Sequence, residues 1–225
     1  VVQVRIALLA LFDVKQREII DLTMLRSTLS YLENFHFAYN AILANRTNRL
    51  EKIYSSFAIA LRKASTKVAA RDIIQNELIA PLDELFPTFE NFSAKFVALS
   101  FTKKDKASNV KTKYAINKLN SFYSETEVFS DDGSIEHIIS EREGGDALNI
   151  GNLILLEGKL NDEAGHKDYS DKCAAYAKSN YAWVKNFIAK HRQWDSSMIT
   201  QRAIELSKVY YSQILKRELP AVPEG

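Results

Sequence analysis

At 225 residues, with 46% apolar and 26% charged residues, the chain can build a hydrophobic core, which excludes a wholly disordered protein. Its one cysteine cannot form an internal disulfide, and the sequence holds no CxxC pair or zinc-ligand cluster. A structural zinc is therefore not expected, whereas a reducing, cytoplasmic location is. The net charge of +2 is a weak argument for nucleic-acid binding, and the apolar run 6–12 is too short to span a membrane.

The first half of the chain is predicted to be helical. Apolar residues that recur at spacings of three and four predict one long or broken helix over residues 15–44. Three further helices are predicted: one carrying Leu50 to Leu61, one over residues 68–85 kinked or restarted at Pro81, and one after Pro87. We interpret residues 15–130 as a helical scaffold. Because the chain begins without Met, residues 1–14 are expected to end an upstream domain or to form a linker helix.

The stretch from 102 to 118 is locally basic. It contains six lysines and one acidic residue, whereas residues 125–146 are strongly acidic. A basic segment beside an acidic, metal-attracting segment favours a surface that handles phosphodiesters, although two solvated surface stretches would have the same composition. Five lysines are the predicted DNA-binding residues of this stretch: Lys103, Lys104, Lys106, Lys111 and Lys113.

Two short apolar runs in the second half are predicted to be strands. The first, residues 134–139, follows the turn signal 131–133, and the second covers residues 153–156. Asn152 opens the second run, and Asn161 lies nine residues further on. Two strands, a loop that holds an Asn and a polar ligand after the second strand form the skeleton of a ββα-metal nuclease site. Further helices are predicted over 169–179, 181–191 and 198–215.

The predicted fold class is therefore mainly α, with a small inserted ββα-metal (HNH) motif and a helical scaffold around a two-stranded nuclease site. The nuclease motif and its closing helices are assigned to residues 131–217, and residues 218–225 form a tail.

Four residues of this motif could supply the chemistry of phosphodiester hydrolysis. His137 has a usual pKa near 6.5 and could accept a proton from water. Glu136 and Asn161 offer the hard oxygen ligands that suit Mg²⁺ or Mn²⁺. Asn152 could bond backbone groups across the loop, and Lys172 could contact a phosphate. Adjacent strand residues point to opposite faces, so Glu136 and His137 need a strand end or a bulge to face one phosphate.

The same residues also have plainer interpretations. A Glu-His pair is common in proteins, and an Asn that follows Gly is usually only a turn residue.

A resemblance gives these residues more weight. The strings 135–139 and 150–156, Asn161, and Lys172 with Tyr176 and Ser179 resemble the C-terminal HNH nuclease domain of GmrSD-type restriction endonucleases. Trp194, Ile199 and Arg202 are similar to the element that closes the family's pattern. Ser140 stands where the family often has Pro, and the acidic residues 141–146 have no obvious counterpart.

The resemblance implies His137 as the general base, Glu136 and Asn161 as ligands of one divalent metal, and Asn152 as the residue that fixes the loop. It also implies double-stranded DNA as the partner, either phage or modified DNA, and an upstream ParB-like nucleotide-hydrolysing domain. The leading hypothesis is a metal-dependent endonuclease that acts in restriction or phage defence. The alternatives are a non-catalytic helical module that binds nucleic acid or a protein partner, and a purely structural domain.

Overall fold

The structure, a computed structural model, describes residues 2–102, 104, 106–125 and 133–221, with residues 106–108 described as backbone only. It is mainly helical and, within these ranges, has one sheet of two antiparallel strands, as the sequence predicted. The chain divides into two compact units, residues 1–88 and residues 89–225. No helix of the described residues is both long enough and apolar enough to cross a membrane.

The first unit consists of helical segments. They are α1 (Val4–Gln16), α2 (Leu22–His36) with a π-helical extension (Phe37–Ile42), α3 (Asn48–Arg62), α4 (Lys67–Ile73) with a π-helical extension (Ile74–Ile79), and α5 (Ala80–Asp83). Helix α1, which we expected to end an upstream domain, buries Ala7, Leu11 and Val14 in the core of this unit. The predicted helix over 15–44 is broken before α2, whose first turn is capped by the Asp21 carboxylate.

Pro81 lies inside the predicted helix over 68–85. A proline cannot donate a backbone hydrogen bond, and its ring crowds the preceding turn. In the structure, Pro81 is the second residue after the π-helical turn of residues 74–79. There Ala80 N–H donates to Gln75 O instead of to the carbonyl four residues back. The wider turn accommodates the proline, so the helical path continues into α5.

The second unit contains the sheet. Its elements are α6 (Phe89–Phe96), α7 (Lys106–Tyr123), β1 (Gly133–His137), β2 (Leu153–Glu157), α8 (Gly158–Ala164), α9 (Tyr169–Tyr176), α10 (Ala182–Lys190) and α11 (Ser197–Val209), with a π-helical turn at Tyr210–Ile214. Helix α7 begins at Lys106, so most of the basic stretch 102–118 is helical. The predicted boundaries at 14/15, 130/131 and 217/218 stay predictions, and the two compact units meet elsewhere in the sequence, between Thr88 and Phe89.

Strands β1 and β2 pair with Ile135 opposite Leu155 and His137 opposite Leu153. The connection between them makes short 3₁₀ turns at Glu141–Glu143, Gly145–Leu148 and Ile150–Asn152. All residues of β2 from Leu153 to Leu156 are buried, which explains their continuous apolar run. Because β1 ends at His137 and α8 follows β2 directly, the polar residues of all three elements lie close together.

Candidate active site

The end of β1, the turn that follows it and helix α8 enclose a cleft of about 310 Å³. Three of the predicted site residues line this cleft, namely Glu136, His137 and Asn161. The strand end predicted to be necessary for Glu136 and His137 to share a site is present, because β1 stops at His137. The cleft is also lined by Ser140, Glu141, Asp162 and His166.

His137 is buried, and its ring is oriented by a hydrogen bond at Nε2. Its Nε2 lies 3.0 Å from the backbone oxygen of Phe101. A carbonyl oxygen can only accept a hydrogen bond, so Nε2 carries a proton and donates. In the neutral ring the lone pair is therefore on Nδ1, which lies 3.6 Å from Glu141 Oε2. This tautomer makes Nδ1 the nitrogen that can accept a further proton.

Glu136 is bound on its Oε1 side by helix α9. Lys172 Nζ and Tyr176 Oη each donate to Oε1 over 2.7 Å, and Lys172 Nζ also donates to His137 O over 2.5 Å. Burial raises the pKa of the Glu136 carboxyl, while the charge and the hydrogen bond of Lys172 oppose that rise. Burial also raises the pKa of the Tyr176 hydroxyl, so Tyr176 remains a neutral donor.

Lys172 is not on a surface that could meet DNA. Its side chain is 0% exposed and its ammonium group is used by Glu136 and the backbone of β1. The predicted phosphate contact of Lys172 is therefore wrong. The physical reason is that a buried carboxylate needs a paired cation, and Lys172 is the cation that neutralises Glu136.

Asn161 has its amide group oriented by β1. Its Nδ2 donates to Ser134 Oγ over 2.8 Å and to Ile135 O over 3.1 Å. With the nitrogen fixed on the strand, the amide oxygen is the atom left for a ligand in the cleft. An amide oxygen and a carboxylate are both hard donors of the kind that Mg²⁺ accepts.

Asn152 lies outside the cleft and is fully buried in the loop behind it. Its Nδ2 donates to Ile139 O and Ala147 O, and its Oδ1 accepts from Ile139 N–H and Trp194 Nε1–H, all over 2.7–3.1 Å. Three of these four bonds join Asn152 to backbone groups across the loop, as the sequence suggested, and the fourth joins it to a side chain. They hold the chain just after His137 in place.

Helix α11 also contacts this loop. Arg202 donates to Gly151 O over 2.7 Å and to Leu153 O over 2.9 Å, and its guanidinium lies against the rings of Trp183, Phe187 and Trp194. Burial lowers the pKa of Arg202 to about 10, which still leaves it charged at neutral pH. A Cβ atom on Gly151 would lie 2.0 Å from Ile199 O, so only glycine fits there.

One comparison with known proteins gave a match that covers the cleft residues. The family model described as GmrSD restriction endonucleases, C-terminal domain, matches residues 86–209, which is more than half of the chain. The chain belongs to this family. No curated protein matches this chain significantly. As a GmrSD C-terminal domain, the chain has a nuclease function of the restriction-endonuclease type, with DNA as its substrate.

The predicted DNA-binding lysines of this GmrSD domain lie around the start of α7. Lys104 and Lys113 are exposed, and Lys111 is half-buried. Lys103 and the side chain of Lys106 lie outside the described residues.

Sequence reasoning missed three groups at the cleft of this GmrSD domain. The oxygen that orients His137 belongs to the backbone of Phe101, so no side chain could have indicated it. Glu141 belongs to the acidic residues 141–146, which have no obvious counterpart in the family pattern. Its Oε2 is buried without a hydrogen-bond donor among the described residues. His166 lies at the rim, bonded to Ser140. A polar residue a few positions after Asn161 was the only signal for it.

Proposed function

We propose that the chain is a metal-dependent HNH endonuclease domain that nicks or cleaves double-stranded DNA as the effector of a restriction or phage-defence protein. The observation that supports this most directly is His137, held by Phe101 O with Nδ1 as its basic nitrogen in a cleft that also holds Glu136 and Asn161. We further propose that it acts in the cytoplasm, together with an upstream ParB-like domain.

The role of His137 follows from its tautomer. Nδ1 takes a proton from a water molecule as the water oxygen forms its bond to phosphorus and the bond from phosphorus to the leaving oxygen breaks. The imidazolium that results keeps its Nε2–H bond to Phe101 O, and the Glu141 carboxylate, 3.6 Å from Nδ1, stabilises the new charge. Asn152 contributes indirectly, because it fixes the backbone that follows His137.

The donors at the cleft fit a weakly coordinated divalent metal. Glu136 and Asn161 would hold one Mg²⁺ or Mn²⁺, which supplies charge stabilisation for the phosphoryl and leaving oxygens when it is bound. The described residues contain no group of three or more His, Cys, Asp or Glu side chains that could hold a metal. The remaining positions would thus be filled by water and substrate, as is usual for Mg²⁺.

One observation favours the alternative of a non-catalytic DNA-binding module. Glu136 already accepts two hydrogen bonds on one oxygen and is paired with Lys172, so it is less available to a metal than a free carboxylate. A binding module would use the exposed Lys104 and Lys113 and would bind DNA in a salt-dependent way without cutting it.

An assay with supercoiled plasmid distinguishes the nuclease from the binding module. The plasmid is incubated with the protein and Mg²⁺, Mn²⁺ or EDTA. Metal-dependent conversion to open-circular or linear DNA is expected, and His137→Ala should lower its rate by about 10²- to 10⁴-fold, the usual share of a general base. His137→Gln is the matched variant, because its amide can still donate to Phe101 O but cannot act as a base. Full activity of either folded variant would refute the proposal, and DNA binding without cleavage would favour the binding module.

A further inference from the structure

His166 connects the cleft to a larger groove. It follows Gly165, whose φ of 54° and N–H bond to Asn161 O end helix α8 and turn the chain back towards β1. His166 and Ser140 line both the cleft and a neighbouring groove of about 750 Å³. The histidine is exposed, so a molecule that enters either space can reach its ring.

One nitrogen of the His166 ring is fixed and the other is available. Nδ1 lies 3.0 Å from Ser140 Oγ. A hydroxyl can donate or accept, so this bond persists whichever nitrogen of the ring carries the proton. Ser140 Oγ is itself held in place, because it accepts from Arg142 N–H over 3.4 Å. No partner for Nε2 is found among the described residues.

The rest of the cleft offers little else to a phosphate. Its walls carry the carboxyl groups of Glu136, Glu141 and Asp162, which repel an anion. The amide nitrogen of Asn161 is used by β1, and the buried ammonium group of Lys172 is used by Glu136 and the backbone of β1. Once His137 serves as the base, His166 is the remaining nitrogen donor among the described side chains that line the cleft.

We propose that His166 is a DNA-binding residue that donates Nε2–H to a non-bridging oxygen of a phosphate in the cleft, and that Ser140 positions its ring. This inference rests on the proposed nuclease function for the identity of the ligand. Where the family often has Pro, Ser140 supplies the hydroxyl that holds the histidine.

The experiment compares His166→Ala, Ser140→Ala and the double variant with the unmodified protein. The first readout is plasmid cleavage, for which kcat and KM for DNA are measured at a series of Mn²⁺ concentrations. The second is binding of a short DNA duplex in EDTA, which does not need cleavage. Loss of one hydrogen bond to a charged phosphate should lower kcat/KM by about 10- to 100-fold and should weaken duplex binding. Ser140→Ala should lose less, and the double variant no more than His166→Ala alone.

Lys167→Ala is the matched control, because it removes a positive charge one residue away whose ammonium group donates to Glu163 O. It should have much less effect than His166→Ala. Unchanged cleavage and binding by folded His166→Ala would overturn the inference, and if His137→Ala were still inactive the nuclease proposal would stand. A weaker response to Mn²⁺ with unchanged duplex binding would also overturn it, since His166 would then be a metal ligand. If the unmodified protein does not cut, duplex binding alone decides the role of His166.

Discussion

Replacing Lys172 by methionine should strongly destabilise the second unit. Methionine nearly fills the space of lysine but removes the ammonium group that donates to Glu136 Oε1 and to His137 O. Glu136 is 3% exposed, so its carboxylate would remain buried without a cation. Removing one partner of a buried ion pair costs about 3–5 kcal/mol.

The pH dependence of that loss is a sharper test than its size. Glu136 can avoid this penalty by binding a proton. In the unfolded chain its pKa is 4.5, so protonation at pH 7 costs about 3.4 kcal/mol, at about 1.36 kcal/mol for each pH unit above that pKa. The folded variant then binds more protons than the unfolded one, so its stability falls as pH rises above 4.5. Between pH 7 and pH 5, about 2.7 kcal/mol of the loss should disappear.

Urea unfolding followed by tryptophan fluorescence measures this in the correct unit, because the two tryptophans of the chain, Trp183 and Trp194, both belong to residues 89–225. Lys178→Met is the surface control, since its ion pair with Glu163 is exposed and should contribute less than about 1 kcal/mol. The double variant Glu136→Gln with Lys172→Met should lose the pH dependence. A Lys172→Met loss below 1 kcal/mol, or one that does not change with pH, would refute the reasoning.

Three further predictions concern packing and protonation. Gly151→Ala should destabilise the second unit by about 1–3 kcal/mol or more, measured by urea unfolding, because the new methyl group would overlap Ile199 O. Asn152→Asp loses both donated hydrogen bonds and should destabilise that unit by at least about 2 kcal/mol; unchanged stability would contradict the role of Asn152 in holding the loop. Burial lowers the pKa of His36, whose Nε2 accepts from Tyr54. The stability this contributes is present above pH 6.5 and lost as pH falls through the lower folded pKa, so circular dichroism should show acid weakening that His36→Gln reduces.

The helices could be predicted from the sequence because their signals are local. Phe89, Phe92 and Phe96 repeat at helical spacing, and α6 covers Phe89–Phe96. The unbroken apolar run of β2 likewise indicated a buried strand. The ends of helices were harder to predict. The chain leaves α1 through Glu18, which has a left-handed backbone conformation, and glutamate is not a strong turn signal.

The site was predictable where a residue type restricts chemistry and unpredictable where burial decides its role. Imidazole, carboxylate and amide groups are suited to metal-assisted hydrolysis, and the structure places His137, Glu136 and Asn161 at one cleft. Lysine is almost always exposed, so nothing local indicated that Lys172 would be buried. Its burial depends on Glu136, which lies 36 residues earlier in the chain.

The residues that carry the family resemblance form two groups, one that lines the cleft and one that supports the loop behind it. Gly151, Asn152, Trp194 and Arg202 contact one another and the backbone of the loop, and none of them lines the cleft. They hold the loop that follows His137, and this structural role does not depend on whether His137 acts as a base. A match to the family pattern therefore reports the scaffold more strongly than the chemistry. Under the proposed function, the chemistry rests instead on the few side chains in the cleft, above all on His137.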